Sequence, residues 1–208
     1  RTGATAQHNP WSNLTLGSGI QPTRELLEAG VNVSLGSDGS CSTVTTNMLN
    51  VLGSAAGVSK IRSDDPSRWL SAREALSAGT AGGARALGFG SSLGVIEEGA
   101  RADLFGCRTD TVTFAPFNDP VRQLVYAERG AGVSFAMVDG RVAMREGRLT
   151  LIDEAAILSE IEQEFHSLAA QYDAAQASVA PVLEAVEKIY RRSLAMPVPA
   201  DTYPARLP

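Results

Sequence analysis

Gly30-Val31-Asn32-Val33-Ser34-Leu35-Gly36-Ser37-Asp38-Gly39 is the stretch on which the fold turns. Apolar residues alternate through Val31, Val33 and Leu35, and the run closes on a cluster of turn-forming residues, so it predicts a strand. Just before it, Thr23-Arg24-Glu25-Leu26-Leu27-Glu28-Ala29 predicts a short helix that Gly30 stops. A helix, a tight glycine turn and a strand make an α/β unit with its strand buried.

Working outward, Thr5 to Asn13 is polar and broken by Pro10, which predicts a loop, and Gly17-Ser18-Gly19 keeps the chain irregular up to Pro22. Downstream, Asn47 to Ile61 predicts a helix weakened by Gly53 and Gly57. Ser71-Ala72-Arg73-Glu74 matches a capping box, in which the Ser hydroxyl and the Glu carboxylate each satisfy a free backbone N–H. Ala72, Ala75, Leu76, Gly79, Gly83 and Leu87 then share one face of the helix. Its small residues predict close packing.

After residue 89 the pattern changes to short strands and turns. Ala102–Phe105 and Gln123–Tyr126 are candidate strands. Phe135–Val138, Asp139-Gly140 and Arg141–Met144 predict a hairpin, because Asp-Gly supplies the positive φ angles of a type I′ turn. Glu146-Gly147 predicts a second turn into Leu149-Thr150-Leu151. Ile157, Ile161, Phe165, Leu168 and Tyr172 repeat at helical spacing. Pro181 predicts the first turn of a separate last helix, with Arg191 and Arg192 near its C-terminus, and Met196 to Pro208 should be extended.

The composition is that of an ordinary globular protein: 208 residues, 44% hydrophobic and 20% charged. A net charge of -5 gives no support for nucleic-acid or anionic-membrane binding. No apolar run approaches the roughly 18 residues of a membrane span. Cys41 and Cys107 form no CxxC and read as two reduced thiols, which suits a cytoplasmic protein. The chain starts at Arg1 rather than Met, so a preceding segment is expected.

Few residues can carry chemistry. Asp38 lies just past the end of the predicted strand, where catalytic groups gather in βα barrels. There it could bind a divalent metal and take a proton from water, or simply form a turn with Gly39. His8, before Asn9-Pro10, could line a pocket, ligate a metal or be an ordinary loop histidine. His166, the only other histidine, reads as a surface residue. A self-contained zinc site needs three or four ligands, and His8, Asp38 and Cys41 are the only set at hand, with nothing further to support it. There is no nucleophile elbow, and neither glycine-rich stretch has the Lys of a phosphate loop.

Taken in order, these pieces resemble one family. His8-Asn9-Pro10-x-Ser12-Asn13-Leu14, Leu16-Gly17-Ser18-Gly19-Ile20, Pro22 and Arg24-Glu25-Leu26-Leu27 are similar to the strand-seven region of metal-dependent amidohydrolases. The similar branch contains S-adenosylhomocysteine, guanine and 8-oxoguanine deaminases and triazine chlorohydrolases. Gly30 to Gly39 resembles that family's strand eight with its metal-binding Asp. Ala75-Leu76 through Gly83-Ala84-Arg85-Ala86-Leu87-Gly88 resembles the following helix. Gly94-Val95-Ile96-Glu97-Glu98-Gly99-x-Arg101-Ala102-Asp103-Leu104 resembles the return into the small β-domain. Asp119-Pro120-Val121, Val138-Asp139-Gly140-Arg141-Val142 and Glu146-Gly147-Arg148 complete a match over about residues 4 to 150.

The resemblance implies an α/β fold. Residues 1–88 would be the last strands and helices of a (β/α)8 barrel, 89–150 part of a small β-sandwich, and 151–208 a helical and extended tail. It implies a hydrolase with one divalent metal, zinc or iron, whose activated water attacks a carbon–nitrogen or carbon–chlorine bond of a purine- or triazine-like ring. Asp38 would be metal ligand and proton acceptor, His8 would contact substrate, and Asp103 would be structural. Ser40, Cys41 and Ser42 are local pocket candidates. The family's other metal histidines and its acid/base Glu have no counterpart here. A whole barrel takes about 250 residues. The partners implied are therefore a heteroaromatic substrate, a missing N-terminal half and a possible second copy of the chain. The alternative is a non-catalytic fragment or subunit that serves assembly.

Overall fold

The computed structural model describes residues 2–197. The stretch expected to be extended from Met196 onward lies, from residue 198, outside the described residues. The chain divides into two compact units, one running to Arg148 and the other beginning at Leu149.

The first unit is mixed α/β. Strand β1 (Thr5–His8) leads into helix α1 (Pro10–Leu16); helix α2 (Thr23–Glu28) leads into strand β2 (Asn32–Leu35). The two strands pair in parallel, with Ala6 opposite Val33 and His8 opposite Leu35. Val33, Ser34, Leu35 and Gly36 are all buried, as in a parallel strand covered on both faces. The polar loop expected over Thr5–Asn13 is thus a strand and a helix. Pro10 does not break the helix but begins it, at the position where its missing N–H costs nothing.

Helix α3 (Met48–Val58) is capped by Asn47, whose side chain accepts the Leu49 N–H at 2.9 Å. Helix α4 (Ala72–Ser77) has the full Ser71/Glu74 capping box. It runs through a π-helical turn at Ala78–Gly82 into α5 (Gly83–Ala86). Leu35, Leu52, Ala55, Ala75, Ala78 and Val125 are among the residues of the core these elements enclose. The expected small-residue face exists, but the wider π turn changes which residues it presents. Gly82, not Gly83, lies against β2, close enough for an added Cβ to strike the Val33 carbonyl oxygen, whereas Gly83 has nothing within 4 Å. Leu87 is 76% exposed rather than part of that face.

Gln123–Tyr126, expected as a strand, belongs to helix α6 (Pro120–Tyr126). Asp119 caps it by accepting the Arg122 N–H at 3.0 Å, and Pro120 occupies its first turn. The helix packs on α3 at Gly53, where a Cβ would sit 2.8 Å from the Val125 carbonyl oxygen. Gly53 therefore weakens helix propensity in exchange for a close helix contact.

The later strands form one antiparallel sheet in the order β3 (Leu104–Cys107), β4 (Val133–Val138), β5 (Arg141–Arg145), β6 (Arg148–Leu149). The β4–β5 hairpin turns at Asp139 and Gly140, with φ of 48° and 76°. Asp103 anchors this turn, accepting the Asp139 N–H at 2.7 Å.

In the second unit the two helices expected on either side of Pro181 are one, α7 (Glu154–Leu194, 41 residues). Asp153 caps it, accepting the Ala156 N–H at 3.0 Å. Pro181 sits inside, so the helix loses one hydrogen bond there, to the Ala177 carbonyl, without ending. No helix among the described residues is long and apolar enough to cross a membrane.

Candidate functional site

The parallel pairing of β1 and β2 brings His8 and the chain leading to Asp38 to the same strand ends. The Gly36 N–H donates to the His8 carbonyl at 3.0 Å, extending the ladder one residue past β2. A side chain at Gly36 would collide with Gln7 and Asn9. The strand therefore leaves the sheet without a side chain in the way and turns at once into Asp38.

Asp38 has φ of 68°, a left-handed conformation that Asp tolerates better than most residues. The turn exposes its carboxylate. Helix α1 begins two residues after His8 and places Ser12, itself 3% exposed, beneath that carboxylate. The Ser12 hydroxyl donates to Asp38 Oδ2 at 2.6 Å, and the Gly39 N–H donates to Oδ1 at 2.8 Å. These bonds, with a further contribution from Ser42, hold the carboxyl below the usual carboxylate range. A carboxylate accepts about four hydrogen bonds, so both oxygens keep lone pairs for another ligand. On that count Asp38 fits as one ligand to a divalent metal.

His8 is the last residue of β1 and only 2% exposed. Its Nδ1 meets the Thr23 hydroxyl at 3.5 Å, and its Nε2 has no hydrogen-bond partner. Burial lowers its pKa to about 4, so the imidazole is neutral near pH 7. A buried ring nitrogen without a partner is uncommon enough to call for an explanation.

The remaining candidates are peripheral. The Ser42 hydroxyl donates to the Gly39 carbonyl at 3.1 Å and tightens the turn after Asp38. Cys41 is an exposed free thiol on the same turn, and Cys107 is a half-buried free thiol on β3. His166 is exposed on α7, where its Nδ1 lies 2.7 Å from the Glu162 carbonyl oxygen. Among the described residues no three His, Cys, Asp or Glu side chains are grouped to hold a metal. Ser12 is the site residue to which the sequence assigned no role. Its signal was its place in the first turn of α1, four residues beyond His8.

The model of the Amidohydrolase family matches residues 2–143. A 5-methylthioadenosine/S-adenosylhomocysteine deaminase of Acetivibrio thermocellus is 38% identical over 161 residues, 77% of this chain and 37% of that protein. A 5′-deoxyadenosine deaminase of Methanothermobacter thermautotrophicus is 37% identical, over 74% of this chain and 36% of its own length. Among solved structures, a zinc-bound adenosine deaminase from Xanthomonas campestris superposes with a TM-score of 0.76 at 33% identity, over 80% of this chain and 38% of that one. The atrazine chlorohydrolase of Arthrobacter aurescens, complexed with zinc, gives 0.71 at 35% identity, over 76% and 35%. The chain thus spans less than two fifths of the length of these relatives. With the family model covering most of the chain and both strand ends built as described, the chain belongs to the amidohydrolase family.

Proposed function

We propose that this chain is the C-terminal part of a metal-dependent hydrolase that replaces an amino group or chlorine on a heteroaromatic ring with a hydroxyl. The observation that carries the reading is Asp38: an exposed, ionised carboxylate past the C-terminal end of a buried parallel strand, oriented through one oxygen by Ser12 and through the other by Gly39. In this reading residues 1–88 close a (β/α)8 barrel, 89–150 belong to a small β-sandwich, and 151–208 form a tail. A preceding part of a longer polypeptide supplies the other metal ligands. The two free thiols are in keeping with a cytoplasmic location.

Asp38 contributes one ligand oxygen to zinc or iron. A divalent metal bound there supplies Lewis-acid activation of water at neutral pH. Asp38 accepts the proton of the attacking water. The water oxygen bonds to the ring carbon; a leaving amino group takes the proton back from Asp38 and departs as ammonia, whereas chloride departs as the anion and the proton goes to solvent. Ser12 keeps the carboxylate aimed and its basicity low, so the acquired proton is readily passed on. His8 is the candidate substrate contact: it is neutral, and its Nε2, buried in this part of the protein, has no other partner.

The test is ammonia or chloride release from 5′-methylthioadenosine, guanine and a chlorotriazine by the whole polypeptide carrying this chain, with metal content measured alongside. Turnover of one substrate with about one metal per polypeptide, and its loss in Asp38→Asn with the fold intact, is the expected result. A metal-loaded polypeptide that turns over none of the three, or an Asp38→Asn variant with full activity, overturns the proposal.

A further inference from the structure

Helix α7 carries an apolar seam of a kind different from the face of an ordinary surface helix. Leu158, Phe165, Tyr172, Val179 and Val186 fall every seven residues. Ile161, Leu168, Ala175, Val182 and Ile189 fall every seven residues between them. The alternating steps of three and four continue unbroken for more than four heptads, the narrow 3.5-residue period of a coiled coil. The seam is open: Phe165 and Ile189 are each 69% exposed and Tyr172 63%. Pro181 lies off the seam, on the outer face, and its lost bond to the Ala177 carbonyl bends the helix without interrupting the heptad order. The helix lies wholly outside the stretch matched to the family.

The charges say what occupies the seam. Five acids, Asp153, Glu154, Glu160, Glu162 and Glu164, crowd the first three turns, and no Lys or Arg occurs before Lys188. All three cations, Lys188, Arg191 and Arg192, lie in the last two turns. Lys188 and Arg191 pair within the helix with Glu184 and Glu187, at 2.7 and 2.6 Å. Arg192 and Glu164 instead flank the seam in equivalent heptad positions. A parallel pair of such helices would set acid against acid at one end, and would stack Tyr172 on Tyr172 and Ala175 on Ala175. An antiparallel pair sets the acidic end on the basic end and Glu164 beside Arg192 of the second copy. It also alternates large with small: Phe165 against Ile189, Leu168 against Val186, Tyr172 against Val182 and Ala175 against Val179.

From the heptad register and this charge polarity we infer that the chain self-associates as a dimer through an antiparallel two-helix coiled coil formed by α7. The two aromatic rings of each copy bury up to about 150–250 Å² apiece. With the eight aliphatic seam residues of each helix, the interface reaches the roughly 1,200 Å² at which specific association begins.

Sedimentation equilibrium of the whole polypeptide carrying this chain, with a spin-label distance measurement, tests this. The chain is expected to dimerise at micromolar concentration. Leu168→Asp on the seam should weaken the dimer at least tenfold, and Ala170→Asp on the outer face less than twofold. A label at Gln163→Cys, with Cys41→Ser and Cys107→Ser, lies level with Arg191 of the second copy. At about 1.5 Å per residue the two labels are therefore roughly 40 Å apart along the axis. A monomeric chain, a dimer indifferent to Leu168→Asp, or labels within about 20 Å, as a parallel pair requires, each overturns the inference.

Discussion

Gly82 and Gly83 are neighbours in sequence, both helical, with φ of -64° and -63°. Neither needs glycine for its backbone conformation, and replacing either by Ala should gain up to about 1 kcal/mol of helix propensity. Their surroundings set them apart. A Cβ on Gly83 meets nothing within 4 Å, so Gly83→Ala keeps that gain and stabilises by about 0.5–1 kcal/mol. A Cβ on Gly82 enters the Val33 carbonyl oxygen and comes within 3.3 Å of the Val33 carbonyl carbon and the Ser77 oxygen. Atoms at rest sit about 3.5–4 Å apart, so the helix and β2 must separate. Neither obstacle is a flexible side chain that could swing away. Overpacking of this kind costs about 1–3 kcal/mol or more, so Gly82→Ala should be destabilised by about 2 kcal/mol net. Urea unfolding followed by circular dichroism reads the difference. With a slope of about 2 kcal/mol per molar, the two midpoints should differ by more than about 1 M at unchanged slope. A Gly82→Ala midpoint equal to or above that of the unsubstituted chain would refute the close approach of helix and strand. Because β2 leads into Asp38, the same variant should also weaken any metal site built on it.

Ser12→Ala removes the hydroxyl that orients Asp38 Oδ2. Zinc affinity of the whole polypeptide, measured by competition with a chromogenic chelator, should fall about 10–100-fold with secondary structure unchanged; equal affinity would show that Ser12 does not position the ligand. His8 titrates at about 4 when folded, because of burial, against 6.5 when unfolded. The folded state thus binds the proton less readily, and the associated stability is complete above pH 6.5 and lost as pH falls toward 4. At about 1.36 kcal/mol per unit this is about 3 kcal/mol. The urea midpoint should fall accordingly, and His8→Asn should flatten the dependence within that window. Glu74 acts lower: burial raises its pKa, but bonds from Arg24 and Ser71 outweigh this and bring it to about 2, so its share is lost only between pH 4.5 and 2. Arg24 meets Glu74 at 2.8 and 2.9 Å and also donates to the Arg68 and Trp69 carbonyls. Arg24→Ala should therefore cost about 2 kcal/mol in the same unfolding assay, and Arg24→Lys, which keeps the charge but not the fork, most of that; a neutral Arg24→Lys would show that charge alone matters.

The sequence by itself determined the elements whose signals are local. Asp139-Gly140 dictates the hairpin because few residues accept two positive φ angles, and Ser71 with Glu74 caps a helix from groups within one turn. The buried strand before Asp38, and the ordered run of family motifs around it, were legible for the same reason. Elsewhere local reading went astray because two structures suit the same residues. Gln123–Tyr126 is apolar enough for a strand, and only the start at Asp119-Pro120 and the packing on Gly53 make it a helix. Pro181 signals a helix start, but it sits inside one continuous helix, at the cost of a hydrogen bond and a clash with the turn before it. What the tertiary structure alone decided is contact between distant residues. It buried His8 at the end of β1, set Ser12 under Asp38 across 26 residues, and chose Gly82 over Gly83 as the point where helix meets strand. Sequence spacing carries the period of a helix or strand. Which carboxylate oxygen accepts a hydroxyl, and which glycine has no room for a Cβ, depends on how those elements pack.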